Sequence, residues 1–233
     1  MRYAGLALVG LIVSGTPSAI AQRPVESKDL LRIRTVSDPQ LAPEGAWVAY
    51  TVSTADTVAD ERDADVWMSS WDGKRSVRLT WTAEREHTPR WSPDGRYLAF
   101  LSSRDDPREV EQVWLLDRNG GEAERVTDLP GGVSDYAWSP DGSRLALIAS
   151  DPDPAQAQPG QDTSKPRPEP IVVDRYRFKY DEVGYIGDEH DHLYVFTLAG
   201  RKAELITPGD YDEEAPVWSP DGRFIAFLSR RRP

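Results

Sequence analysis

Cysteine is absent from these 233 residues, so no disulfide or thiolate site contributes to the fold or its chemistry. Histidine is nearly absent. His87, His190 and His192 are the whole supply, which leaves few candidates for a general base or a metal ligand. Positive charge is scarce beside negative, 28 Lys and Arg against 39 Asp and Glu. Nucleic acid and anionic lipid both demand a basic surface and are not the expected partners. Long apolar runs are missing too. The longest stretch, Ala4 to Val13, falls short of the ~20 residues that span a bilayer.

That short run has another reading. Arg2 supplies a positive n-region, Ala4 to Val13 the apolar core, and Ala19-Ile20-Ala21 a cleavage site before Gln22. Residues 1–21 are expected to be a signal peptide and 22–233 a secreted or periplasmic product with no membrane span.

The chain is rich in one phrase. It reads LAPEGAWVAYTVS from Leu41, WSPDGRYLAFLSS from Trp91, WSPDGSRLALIAS from Trp138 and WSPDGRFIAFLSR from Trp218. Ser92-Pro93-Asp94-Gly95 has the residue preferences of a type I turn, and Gly95 can take the positive φ that lets the turn feed a second antiparallel strand. Tyr97 to Leu101 is apolar at consecutive positions, so both faces of that strand must be covered. Two further strands follow each phrase: Val66-Trp67-Met68 and Val77 to Thr80, then Gln112 to Leu116 and Glu124 to Thr127, then Leu193 to Phe196 and Glu204 to Thr207. The turn prolines Pro43, Pro93, Pro140 and Pro220 stand 50, 47 and 80 residues apart.

The first two steps match the ~40–50 residues of a four-stranded propeller blade. The predicted fold is all-β: an incomplete β-propeller of four-stranded antiparallel blades, three of them plus the first hairpin of a fourth. Blades are expected to start near 38, 88, 135 and 215, with an insertion over 151–187 accounting for the long step. Within it, Asp151 to Pro170 reads as a solvated loop and Ile171 to Phe178 as an extra strand. Ser27 to Ile33 reads as a short capped helix, and Asp56 to Asp63 as a polar loop. An open ring would leave Phe224, Ile225 and Phe227 uncovered and make the isolated chain prone to aggregation.

Chemistry is harder to find. Gly132-Val133-Ser134-Asp135-Tyr136 approaches G-x-S-x-G but lacks the second glycine and precedes a strand, so it is structural. His87 lies in a polar stretch and is expected to face solvent. His190 and His192 would share a strand face, which suits a shared metal, but no third ligand follows at a recognisable spacing. Tyr211-Asp212-Glu213-Glu214 could bind a peptide amine, though its place before a strand favours an edge role. The sequence predicts no catalytic residue, metal ligand or cofactor, and it identifies no substrate-binding residue.

The ordering resembles the N-terminal part of serine peptidases of the prolyl oligopeptidase family, in its acylaminoacyl-peptidase and dipeptidyl-peptidase-like branch. The residues that carry it are Asp29-Leu30-Leu31, Val36 to Leu41, the Trp-Ser-Pro-Asp-Gly copies, Val172-Val173-Asp174-Arg175 and Gly184-Tyr185. Trp-Ser-Pro-Asp-Gly alone is shared with TolB-like propellers that have no enzymatic activity. The resemblance implies a propeller that gates short peptides for a C-terminal α/β-hydrolase domain. That domain, with its Ser-Asp-His triad, is absent here, so this chain alone is expected to be inactive. The alternative is a non-enzymatic periplasmic propeller that binds envelope proteins.

Overall fold

A computed structural model describes residues 24, 26–57, 61–152, 179–180, 184–185 and 189–231. The expected signal peptide and the expected strand over 171–178 lie outside them. A single helical turn comes first: α1 (Ser27–Leu30) is closed by a capping box in which Glu26 and Asp29 bond each other's backbone.

Three four-stranded antiparallel sheets follow. The first holds β1 (Thr35–Leu41), β2 (Trp47–Asp56), β3 (Glu61–Ser70) and β4 (Ser76–Arg78). The second holds β5 (Glu86–Trp91), β6 (Tyr97–Ser102), β7 (Gln112–Asp117) and β8 (Glu124–Arg125). The third begins with β9 (Gly131–Trp138) and β10 (Arg144–Ser150). A two-stranded excursion, β11 (Lys179–Tyr180) and β12 (Gly184–Tyr185), precedes its completion by β13 (Asp191–Thr197) and β14 (Lys202–Leu205). A last hairpin pairs β15 (Glu213–Trp218) with β16 (Ile225–Ser229). The expected polar loop over Asp56–Asp63 is shorter than expected: β2 and β3 stay paired out to Asp56 and Glu61.

The alternation of strand side chains explains how the sheets stack. In β6, Leu98 and Phe100 pack toward the first sheet with Ala49, Val66 and Trp91, whereas Ala99 and Leu101 pack toward the third with Leu145 and Leu147. β10 repeats the scheme, sending Ala146 and Ile148 to Trp218, Ile225 and Phe227 of the last hairpin. Each middle sheet is thus buried on both faces, as stacked propeller blades require. Ile225 and Phe227 are therefore covered, contrary to the sequence expectation. They point back at the third sheet, and the side chains left uncovered are Val217, Phe224 and Leu228.

Three details recur from sheet to sheet. The turn serine accepts from the backbone of the residue five places on and donates to the turn aspartate: Ser92 Oγ lies 2.9 Å from Tyr97 N and 2.5 Å from Asp94 Oδ1. Ser139–Asp141 and Ser219–Asp221 repeat it. These hydroxyls hold the aspartates low, Asp141 at about 2. Next, a threonine side chain extends the pairing of each third strand. Val66, Val113 and Leu193 donate N–H to Thr80, Thr127 and Thr207 Oγ1 at 2.8–2.9 Å. Finally, Gly95, Gly142 and Gly222 hold φ of 68–69°, and a methyl on each would lie 3.5–3.7 Å from the turn proline of the sheet before.

Candidate functional site

Recognition groups gather along the first strands and at the end of the sheets where second strands pass to third strands. β1, β5, β9 and β15 run side by side. All four carry a register shift against their second strands, and three of these fall at Ser37/Gln40, His87/Arg90 and Glu214/Val217. At each of these three a non-glycine residue stands at left-handed φ directly before a proline: Asp38 (51°), Thr88 (56°) and Ala215 (54°). Such conformations cost of order 1–3 kcal/mol and persist only where surrounding bonds hold them. At Asp38 those bonds are visible. Its carboxylate accepts from Arg90 Nη1 at 2.5 Å and from Gln40 Nε2 at 2.7 Å, joining β1 to β5. Asp135 on β9 also senses Arg90, but burial dominates and raises its carboxyl above the usual range.

His87 does not face solvent as the sequence suggested. Its Nε2 meets Glu111 Oε1 at 2.6 Å and its Nδ1 meets Thr88 Oγ1 at 2.8 Å. A hydroxyl, an imidazole and a carboxylate in line resemble a nucleophile relay, but the hydroxyl belongs to the next residue of the same strand. The arrangement pins the strained Thr88 bulge to the residue just before β7. Tyr136 adds a second pin, donating its hydroxyl to Thr88 O at 2.7 Å.

The loop between β6 and β7 is ordered by charge. Asp106, fully buried at its side chain, accepts from Arg108 Nε (2.9 Å), Arg108 Nη2 (2.6 Å) and Arg125 Nη1 (3.1 Å), and Arg108 reaches on to Asp128 at 2.6 Å. The Arg108 guanidinium holds Asp106 below its ordinary value. Asp105 and Glu109 flank it at φ of 57° and 58° and line an acidic cleft with Glu84 and Ser103. Beneath, Glu86 is buried. Desolvation raises its carboxyl despite the bond from the Thr82 hydroxyl.

His190 and His192 do not converge on one ion. Each takes its own carboxylate: His190 Nδ1 meets Asp212 Oδ1 at 3.0 Å, and His192 Nε2 meets Asp151 Oδ1 at 3.3 Å. Among the described residues no group of three His, Asp or Glu side chains could hold a metal. The acidic Tyr211–Glu214 group is spent on the fold. Asp212 takes His190, Glu213 is buried against Arg231 at 3.3 Å, and Glu214 meets Arg230 at 3.6 Å. The sequence missed the Asp38–Arg90 link because only sheet stacking brings β1 and β5 together, and it missed the Asp106 cluster because Arg125 reaches Asp106 only through the pairing of β7 with β8. Chemically the cleft presents the exposed carboxylates of Glu84, Asp105 and Glu109, whereas the Arg90, Arg108 and Arg125 guanidiniums are taken up by Asp38, Asp106 and Asp128.

The chain is 32% identical over 203 residues to the uncharacterized peptidase YuxL of Bacillus subtilis, covering 87% of this chain and 31% of that protein. It is 26% identical to dipeptidyl-peptidase 5 of Porphyromonas endodontalis, covering 87% and 30%. It spans about a third of the length of these relatives. Among solved structures, an acylaminoacyl peptidase matches 87% of this chain and 29% of its own, with a TM-score of 0.64 at 18% identity. A TolB protein from Agrobacterium tumefaciens matches 86% and 59% with a TM-score of 0.53 at 21% identity. These structural likenesses speak for the fold alone. No protein-family model matches the chain.

Proposed function

We propose a function from one premise: this chain belongs to the prolyl oligopeptidase family of peptidases as a portion of its β-propeller. Its role is to admit and orient short peptides for the family's hydrolase domain. The observation that carries the reading is the 32% identity to a named peptidase over most of the chain. The site agrees with it. The exposed carboxylates of Glu84, Asp105 and Glu109, which line one cleft, can hold the amino end of a peptide.

The chain's export follows the same reading. Residues 1–21 direct the protein out of the cytoplasm, and the mature N-terminus is Gln22. N-terminal sequencing of the protein from culture medium or periplasm checks this, and an intact Met1 would overturn it.

The decisive assay uses the full product of the gene that encodes this segment. Dipeptidyl and acylated aminoacyl p-nitroanilides should be hydrolysed, and a compact folded protein should be spared. Failure on every short substrate, together with retention of envelope proteins on the immobilised product, would favour the binding role instead.

A further inference from the structure

We infer that the Asn119–Gly120 pair is a site of spontaneous deamidation, and that the carboxylate of Asp117 restrains it. The inference is independent of the peptidase reading. It rests on one turn, its counterpart in the first sheet, and the four Asp-Gly pairs that the fold protects.

Asn119 is the chain's single asparagine, and Gly120 follows it. Both lie exposed in the turn from β7 to β8. Gly120 and Gly121 hold φ of 120° and 113°, and nothing lies within 4 Å of a methyl built on either. A glycine amide with that freedom can swing onto the preceding side chain, where a Cβ would hinder it. In the reaction Gly120 N attacks Asn119 Cγ and forms a C–N bond. The Cγ–Nδ2 bond breaks, and Nδ2 leaves as ammonia with the Gly120 amide proton. Water then opens the cyclic imide at either carbonyl, which leaves an α-linked or a β-linked aspartate. One water enters and one ammonia departs.

The four Asp-Gly pairs have the same backbone but hold their acyl groups as carboxylates, which resist attack. Asp94, Asp141 and Asp221 each accept a serine hydroxyl at 2.5–2.6 Å and a backbone N–H from two residues on. Asp72 accepts from Ser70 Oγ at 2.7 Å and Lys74 N at 3.1 Å. These bonds hold all four below the ordinary carboxylate range.

Asn119 stays neutral and carries an amine to expel. What holds it is Asp117, whose Oδ1 accepts Asn119 N at 2.8 Å and Asn119 Nδ2 at 3.1 Å. Arg96 Nε fixes Asp117 Oδ2 at 3.1 Å, and Asp117 O takes the Gly120 N–H at 3.0 Å. The carboxylate anchors the carboxamide, and its negative charge opposes loss of the Gly120 amide proton. The side-chain bonds of this turn are exposed, so it opens locally at small cost.

The first sheet shows what the products do. Its equivalent turn closes Gly73 N on Ser70 O at 2.9 Å and carries Asp72 where the second sheet carries Asn119. An α-linked aspartate therefore fits. A β-linked one adds a methylene beside Arg118, which bonds Glu44 of the first sheet and lies 5.5 Å from the Trp91 ring.

The test incubates the 233-residue chain at mildly alkaline pH and follows its peptides by mass spectrometry. Isoaspartyl-specific methyl transfer marks the β-linked product, and tryptophan fluorescence reports that the chain stays folded. Conversion of one amide to one acid, with methyl label, should be confined to the peptide that contains Asn119. Gly120→Ala should slow it about tenfold. Asp117→Ala should speed it severalfold, and Arg96→Ala, which loosens Asp117 without touching Asn119, should act in the same direction. An Asn119 peptide that changes only after unfolding in urea overturns the inference, because the turn would then block the reaction. So does equal methyl label on the Asp-Gly peptides, or a rate that both Asp117→Ala and Arg96→Ala leave unchanged.

Discussion

The indole N–H of Trp138 lies 3.2 Å from the carbonyl oxygen of Arg90, 48 residues earlier, and thereby ties the opening of the third sheet to the first strand of the second. Trp138→Phe keeps the ring and removes the donor, leaving that carbonyl without its indole partner. The expected cost is about 1 kcal/mol, read as a lower urea midpoint at constant slope. An unchanged midpoint would mean that ring packing alone joins the sheets.

Gly95 stands at φ of 68°, and a methyl on it would sit 3.6 Å from Pro43 Cδ. Gly95→Val should destabilise the chain by about 1–3 kcal/mol, because a β-branched residue tolerates that conformation poorly. Gly45→Ala and Gly95→Ala form the control pair. Both meet positive φ, but nothing lies within 4 Å of a methyl at Gly45. A larger loss at Gly95 measures the contact between turns, and equal losses would assign the whole effect to backbone strain.

Thr127 is buried, accepts Val113 N–H at 2.8 Å and donates to Gln112 Oε1 at 2.8 Å. Thr127→Val retains the shape and strands the Val113 N–H, while Gln112 Oε1 keeps the Leu129 N–H, at an expected cost of about 1–3 kcal/mol. Thr127→Ser should recover most of it. Hydrogen exchange at Val113 is the local readout: it should accelerate in the valine variant and recover in the serine variant.

Glu86 is buried with its carboxyl raised above the ordinary 4.5, chiefly by desolvation. The folded state therefore holds this proton more tightly than the unfolded chain does. Its contribution to stability is full below pH 4.5 and is lost as pH rises through the folded value. Glu86→Gln keeps a neutral group at every pH, so the difference in stability between variant and parent should grow in the variant's favour across that window. A difference that stays flat from pH 4 to 8 would show that Glu86 is not desolvated.

Much of the architecture was legible because it is written locally. A Ser-Pro-Asp-Gly turn followed by five apolar residues specifies a hairpin buried on both faces whatever lies nearby, and repeating it specifies a stack. The turn glycines and the three tryptophans recur in the text itself. The candidate site was less legible. His87 sits in a polar stretch that reads as solvated, yet Glu111 crosses from the β6–β7 loop to meet it. Asp106 looks like any loop acid until Arg108 and Arg125 close around it. Only distance in space, not spacing in the chain, marks these groups.

The sequence by itself determined the unit: one turn, four short strands, a leading indole and a period near fifty residues. Tertiary structure alone decided what the units do to each other. It sent Phe227 inward and Leu228 outward, gave Asp38 to Arg90, and separated His190 from His192 onto different carboxylates. The reason is that strand alternation fixes two opposite faces for every side chain, but only the neighbouring sheet determines which of them meets water.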